Sequence, residues 1–265
     1  MEFRNIEEIE AGVIQHDFAI FVAGEMVPGV LWTPGRSNDS SALIAVGHGG
    51  SHHKKSANIR SQAIRYAKNF AWATLAIDAP KHGDRIGLKE AELGRARTLA
   101  RIQGKPIIPP LNTEEKINYL DTLTAQAVPE WQAALDFVLK STIIQKNLPV
   151  AYCGVSQGSS IGIPLLAADN RYCCAVLGLA QLHPDHVSLG LAAKKITIPL
   201  RFVFQWNDSI RDRKYGLALF DAFGSREKSM HINTGGHAEI PESEVDSWDQ
   251  FLYTHLQAKK SQKSI

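Results

Sequence analysis

The sequence predicts an α/β fold: an open, mostly parallel sheet of about eight strands with helices on both faces and a small helical lid insertion. Three observations carry this expectation. Short strand-like runs stand at 42–46, 73–78, 149–155 and 200–205, and the one at 42–46 is continuously apolar, the character of a strand buried on both faces. Stretches with helical spacing of apolar residues separate or follow them, as βα repetition requires. The run at 149–155 also breaks into Gly154-Val155-Ser156-Gln157-Gly158 and continues as an apolar helical stretch, which reads as strand, sharp turn, helix.

Length and composition narrow the class. An α/β chain of 265 residues forms a single unit with a large core, so one domain is expected over 1–265. With 44% hydrophobic residues, 21% charged residues and a formal net charge of +2, the chain has no electrostatic bias toward nucleic acid or an anionic membrane. Small molecules are the expected partners, and the oligomeric state is left open, a homodimer included. The three cysteines, Cys153, Cys173 and Cys174, lack metal-ligand spacing. Their place in apolar strands points to reduced core residues and a cytoplasmic compartment. The acidic first residues lack the apolar core of a signal peptide, and no run reaches transmembrane length.

The elements follow in order. Alternation from about Gln15 to Pro34, broken at Gly24-Glu25, predicts an antiparallel hairpin, and a polar loop leads to the strand at 42–46. That strand ends in Gly47-His48-Gly49-Gly50-Ser51, and a helix behind a Ser56 cap places Ile59, Ala63, Tyr66, Ala67 and Phe70 on one face. The strand at 73–78 precedes Ala79-Pro80-Lys81-His82-Gly83-Asp84-Arg85. From about 85 to 127 there is no strand-like run, only charged helical pieces and the apolar, proline-rich Pro106-Ile107-Ile108-Pro109-Pro110-Leu111. A connection this long is expected to do something, here to act as a lid. Ile108 and Leu111 are its candidate substrate-binding residues. Trp131, Ala134, Leu135 and Val138 then mark a helix. Strands at 174–179, 200–205 and 229–233 complete the sheet, and Val245, Trp248, Leu252 and Leu256 mark the last helix. Residues 258–264 read as a frayed tail.

The turn at 154–158 makes Ser156 the candidate nucleophile, since such a turn exposes its hydroxyl in a strained backbone. A second, overlapping match, Gly158-Ser159-Ser160-Ile161-Gly162, lacks a preceding strand. A serine hydroxyl needs a base, and the base an acid that fixes its tautomer. Among ten histidines, His237 in Thr234-Gly235-Gly236-His237 stands on a loose turn at a strand end. His231 lies within a strand and His255 on the last helix, both with structural roles. Asp208 leaves the 200–205 strand at the place the acid requires; Asp212 and Asp221 belong to the following helix. The glycine turn at 47–51 fails the P-loop spacing, because Lys54 stands where glycine is needed, and is read as an oxyanion hole. His52-His53 with Lys54-Lys55, and His183 with His186, are read as surface polar groups and not as metal sites. His48 is read as a strut under the oxyanion loop. No cofactor and no metal are expected.

These residues together resemble the α/β-hydrolases, closest in style to the dienelactone-hydrolase-like and small serine esterase branches. The resemblance covers nearly the whole chain and rests on His48-Gly49-Gly50, the turn 78–85, Gly154–Gly158, Asp208 and Gly236-His237. The chain order Ser, Asp, His is also that of the family. The resemblance implies backbone N–H groups of Gly50 and Gln157 as the oxyanion hole, and hydrolysis of small-molecule carboxylic esters. Dienelactone hydrolases carry cysteine as nucleophile, so Ser156 speaks against that particular reaction. A thioesterase, a peptidase or a carbon–carbon bond hydrolase would use the same groups, and a non-catalytic ligand-binding member of the fold is the reading from another class.

Overall fold

The structure, a computed structural model, describes residues 2–35, 39–105 and 112–262. Among these residues nine strands form one sheet: β1 (Phe3–Glu10), β2 (Val13–Val22), β3 (Glu25–Pro34), β4 (Ala42–Gly47), β5 (Trp72–Ile77), β6 (Val150–Val155), β7 (Tyr172–Gly178), β8 (Leu200–Gln205) and β9 (Lys228–Asn233). Their order is β1-β2-β3-β5-β4-β6-β7-β8-β9. The first three strands are antiparallel to their neighbours, and the six from β5 to β9 run parallel. The helices are α1 (Ala57–Phe70), α2 (Leu88–Ile102), α3 (Thr113–Lys140), α4 (Gln157–Ala168), α5 (Val187–Lys195), α6 (Arg213–Ala222) and α7 (Glu242–Gln262).

Strand periodicity sorts the apolar residues into two cores, because successive side chains leave a strand on opposite faces. Leu43 and Ala45 of β4 and Val150 and Tyr152 of β6 face Trp131, Ala134 and Leu135 of α3 and Ile161 and Leu165 of α4. Ala42, Ile44 and Val46, with Ala151 and Cys153, face Ile59, Ala63 and Tyr66 of α1 and Trp248, Leu252 and Leu256 of α7. Continuous apolar runs are therefore needed in the central strands, as the sequence implied.

Four features depart from the sequence reading. Strand β1 was not anticipated. Its residues are mostly exposed, its sequence is rich in glutamate, and Asn5, at φ 53°, accompanies a register shift between Arg4 and Ile6. A bulged, charged edge of this kind protects a sheet from pairing with another chain, and it erases the alternation that reveals a strand. Second, the expected insertion and the helix after it share one helix. Helix α3 runs unbroken for 28 residues through Pro129. It starts at a capping box in which Asn112 accepts the Glu115 N–H and the Glu115 side chain accepts the Asn112 N–H, an arrangement that stabilises a helix start by about 1 kcal/mol. Third, Ser56 stands at the α1 cap position, but its hydroxyl accepts the His53 N–H and not an N–H of α1. Fourth, the expected frayed tail is helical from 258 to 262.

Ile108 and Leu111 lie outside the described residues. The insertion on either side of them is fastened to the sheet's carboxyl end. Ser51, in the loop after β4, donates to Gly94 O of α2 at 2.8 Å and pairs with Thr98 Oγ1 at 2.6 Å. Ser209, after β8, donates to Ile102 O at 3.3 Å. His186 and Ser188, between β7 and the body of α5, hold Asp121 of α3 at 3.0 and 2.8 Å. Helix α2 thus reaches from the glycine turn to the loop that carries Asp208. His186, read from sequence as a surface group, is buried by this contact.

Candidate active site

The turn between β6 and α4 holds Ser156 at φ 57°, ψ −116°. A side chain other than glycine adopts such a backbone only where the surroundings impose it. Two hydrogen bonds impose it here: Ser156 N–H donates to Gly178 O at 2.8 Å, and Ser156 O accepts the Ser160 N–H at 3.1 Å. Gly158 is required by a close approach, because a Cβ there would sit 2.5 Å from Gly47 O. The start of α4 can therefore pass directly against the end of β4. The overlapping serine motif falls inside α4. Ser159 Oγ is buried, 2.7 Å from the carbonyls of both Gly154 and Gly178, and Ser160 Oγ donates to Ser156 O at 3.3 Å.

The three residues singled out for acyl transfer come together. His237, in the loop after β9, is 8% exposed; its Nε2 lies 2.9 Å from Ser156 Oγ and its Nδ1 2.6 Å from Asp208 Oδ2. The Asp208 side chain is fully buried, and its other oxygen accepts the N–H groups of Ile210 at 2.7 Å and Arg211 at 3.0 Å. A carboxylate only accepts, so His237 donates from Nδ1 and leaves Nε2 free to accept the serine proton. The two loops are stitched to each other: Trp206 N–H donates to Asn233 O, Asn207 N–H to Gly235 O, and Gln205 Nε2 to Glu239 O at 2.6 Å. The rivals are occupied elsewhere. Asp212 accepts the Lys214 N–H as the cap of α6, and Asp221 lies on that helix. His231 pairs with Glu244, and His255 lies 3.7 Å from Glu227.

The glycine turn meets the helix start beside Ser156: a Cβ on Gly50 would be 3.3 Å from Gln157 Oε1. An α-helix leaves its first N–H groups unpaired and carries partial positive charge there, and Gln157 is the first residue of α4. Both sequence-predicted donor residues are thus neighbours at the serine end of the helix. His48 braces the turn from below. Its Nδ1–H donates to Gly49 O at 2.8 Å, and its Nε2 accepts the Ala79 N–H at 3.0 Å. It is a neutral crosslink between the loops after β4 and β5.

Burial lowers the His48 pKa from 6.5 to about 4. Unfolded, this histidine takes up a proton as pH falls below 6.5; folded, it stays neutral down to about 4, so acid favours the unfolded chain. Its contribution to stability is complete above 6.5, declines between 6.5 and about 4, and is constant below that. The expected loss is on the order of 3 kcal/mol. Urea midpoints measured across this range should show a shallower acid decline in His48→Gln than in the wild type; equal slopes would assign the effect to other groups.

One charged residue departs from the sequence expectation. Lys54, taken from sequence for a surface group because of its polar neighbours, is 4% exposed and ion-paired to Asp78 and Asp84. Its partners lie 24 and 30 positions away, beyond any local pattern.

No protein-family model matches the chain, and no curated protein matches it. Solved structures do. A cold-adapted esterase from an Arctic intertidal metagenomic library, in a PEG-bound complex, is 29% identical with a TM-score of 0.76, covering 96% of this chain and 99% of that one. An acetyl xylan esterase from Paenibacillus sp. R4 is 17% identical, TM-score 0.70, over 96% of this chain and 88% of that one. Est1E from Butyrivibrio proteoclasticus, with ferulic acid bound, is 13% identical, TM-score 0.64, over 91% and 99%. With the sheet order and the strand–serine–helix turn, these likenesses define the class: the chain is an α/β-hydrolase-fold protein. Among the described residues the sheet has nine strands where about eight were expected from βα repetition, the difference being the edge strand β1. Among the described residues, no helix is long and apolar enough to cross a membrane.

Proposed function

We propose that this protein is a serine esterase that cleaves carboxylic esters of small molecules through an acyl-enzyme. Ser156 Oγ attacks the carbonyl carbon while His237 Nε2 takes its proton. The tetrahedral oxyanion accepts the N–H groups of Gly50 and Gln157, each such donor being worth about 10²–10³ in kcat. As the carbon–oxygen bond of the alcohol breaks, His237 returns the proton to the leaving oxygen. Water then attacks the acyl carbon, giving its proton to His237, and the acid departs as Ser156 recovers its hydrogen. Asp208 holds the imidazole tautomer and stabilises its charged form throughout.

The single observation that supports this most is the continuous chain from Ser156 Oγ through His237 to Asp208, at 2.9 and 2.6 Å, with the serine on a left-handed turn. The similar solved structures are of esterases, which favours ester cleavage over the thioesterase, peptidase and carbon–carbon alternatives. The purified chain should hydrolyse p-nitrophenyl acetate and react covalently with a fluorophosphonate; if it does neither, the esterase reading fails. The three free cysteines, two of them buried, support a reducing, cytoplasmic setting.

The insertion from about 85 to 127 acts in this reading as the lid. We assign its apolar residues Ile108 and Leu111 to the acyl or alcohol pocket, since an apolar stretch beside a catalytic serine is suited to exclude water. Polar substitutions at Ile108 and Leu111 should change the ranking of short-chain against long-chain p-nitrophenyl esters by kcat/KM, since a methylene lost from a pocket is worth about 1–3 kcal/mol. An unchanged ranking with a lowered Tm would make them packing residues.

A further inference from the structure

Of residues 49–55, the loop beyond β4, only Lys54 is buried. No apolar side chain anchors this loop, so polar contacts decide where its glycines stand. A buried ammonium is tolerated only when it is paired and hydrogen-bonded, and Lys54 is both. Its Nζ donates to Asp78 Oδ2 at 2.7 Å and to Asp84 Oδ2 at 2.5 Å, and its backbone N–H donates to Asp78 Oδ1 at 2.8 Å. Asp78, fully buried, also accepts the Asp84 N–H at 2.9 Å. Gly83 permits this wrap: it sits at φ 56°, and a Cβ there would lie 2.3 Å from the Asp78 carboxylate. The hydrogen bond from Lys54 holds the Asp84 carboxyl below the usual carboxylate range. The outgoing limb of the glycine turn is thus clasped to the turn after β5 by Lys54, just as His48 clasps the incoming limb to Ala79. Gly49 and Gly50 lie between the clasps.

We propose that Lys54 is a positioning residue for the oxyanion hole: its ion pair with Asp78 and Asp84 fixes the Gly50 N–H relative to Ser156. The inference rests on the esterase reading and extends it to a residue that need not touch substrate. A donor helps only when it stands about 2.7–3.1 Å from the oxyanion, a tolerance that the loop would exceed if held only by Ser51 and the Lys54 backbone N–H. The ground-state ester depends less on that contact, so losing the clasp should lower kcat and spare KM.

Lys54→Met removes the charge and keeps most of the stem. The expected result with p-nitrophenyl acetate is a kcat lowered by about 30- to 100-fold with KM within about threefold, and an affinity for a boronic acid, which forms a tetrahedral adduct on the serine, weakened in parallel with kcat. Asp84→Asn alters a carboxylate that is 72% exposed, so the fold should tolerate it; kcat should fall about three- to tenfold with KM unchanged. A folded Lys54→Met with wild-type kcat and boronate affinity overturns the proposal. If Lys54→Met does not fold, wild-type kcat in Asp84→Asn overturns it instead. Failure of the esterase reading looks different, because the wild type itself would then neither turn over ester nor bind boronate.

Discussion

Replacing Ser156 with alanine should reduce p-nitrophenyl acetate hydrolysis to background, a loss on the order of 10⁶ in kcat, and should abolish fluorophosphonate labelling. The fold should survive. The hydroxyl's one described hydrogen bond is to His237 Nε2, and alanine at φ 57° meets the same backbone strain that serine already bears. The Tm should therefore move by only a few degrees, the scale of about 1 kcal/mol or less. Ser160→Ala is the internal control. It removes one 3.3 Å hydrogen bond to Ser156 O inside α4, and kcat should stay within about threefold of wild type. Full labelling of Ser156→Ala would move the nucleophile elsewhere, and an equal loss in both variants would show that the wrong one of the two overlapping motifs had been chosen.

The fold and the candidate triad were legible for the same physical reason. A parallel strand covered on both faces must be mostly apolar, which made β4, β5, β6 and β8 readable. Such strands end abruptly in turn residues, which made Ser156 and Asp208 stand out after β6 and β8, while His237 was marked by the two glycines that follow the edge strand β9. Strand β1 has no buried face to write an alternating pattern, so nothing in its glutamate-rich sequence announced it. The first half of α3 was hidden by charges and by the proline-rich stretch before it, although Asn112 and Glu115 carried a readable helix-start signal. Lys54 could not be read locally at all. Its burial is decided by carboxylates that another loop supplies, and a run of histidines and lysines looks the same whether it is solvated or clasped. Sequence could name the two groups of the glycine turn and helix start, but the contact between Gly50 and Gln157 is a tertiary fact.

The second large effect belongs to Asp208. Asp208→Asn should lower kcat by about 10⁴, the scale seen when a triad acid is neutralised, with KM nearly unchanged. In the wild type, one carboxylate oxygen accepts the N–H groups of Ile210 and Arg211, and the other accepts His237 Nδ1–H. An asparagine would keep its carbonyl oxygen on the two backbone donors, since an amide nitrogen there would face N–H groups. Its NH₂ is then turned toward His237 Nδ1. Two donors cannot share that contact, so the imidazole must move its hydrogen to Nε2 and accept at Nδ1. Nε2–H then points at Ser156 Oγ and cannot take its proton. The substrate contacts are untouched, which is why kcat and not KM should carry the loss. Asp212→Asn is the matched control: asparagine caps a helix about as well as aspartate, so the bond from Lys214 N–H is retained and kcat should remain within about twofold. A larger loss in Asp212→Asn than in Asp208→Asn would reassign the acid to the start of α6 while leaving Ser156 and His237 in their roles.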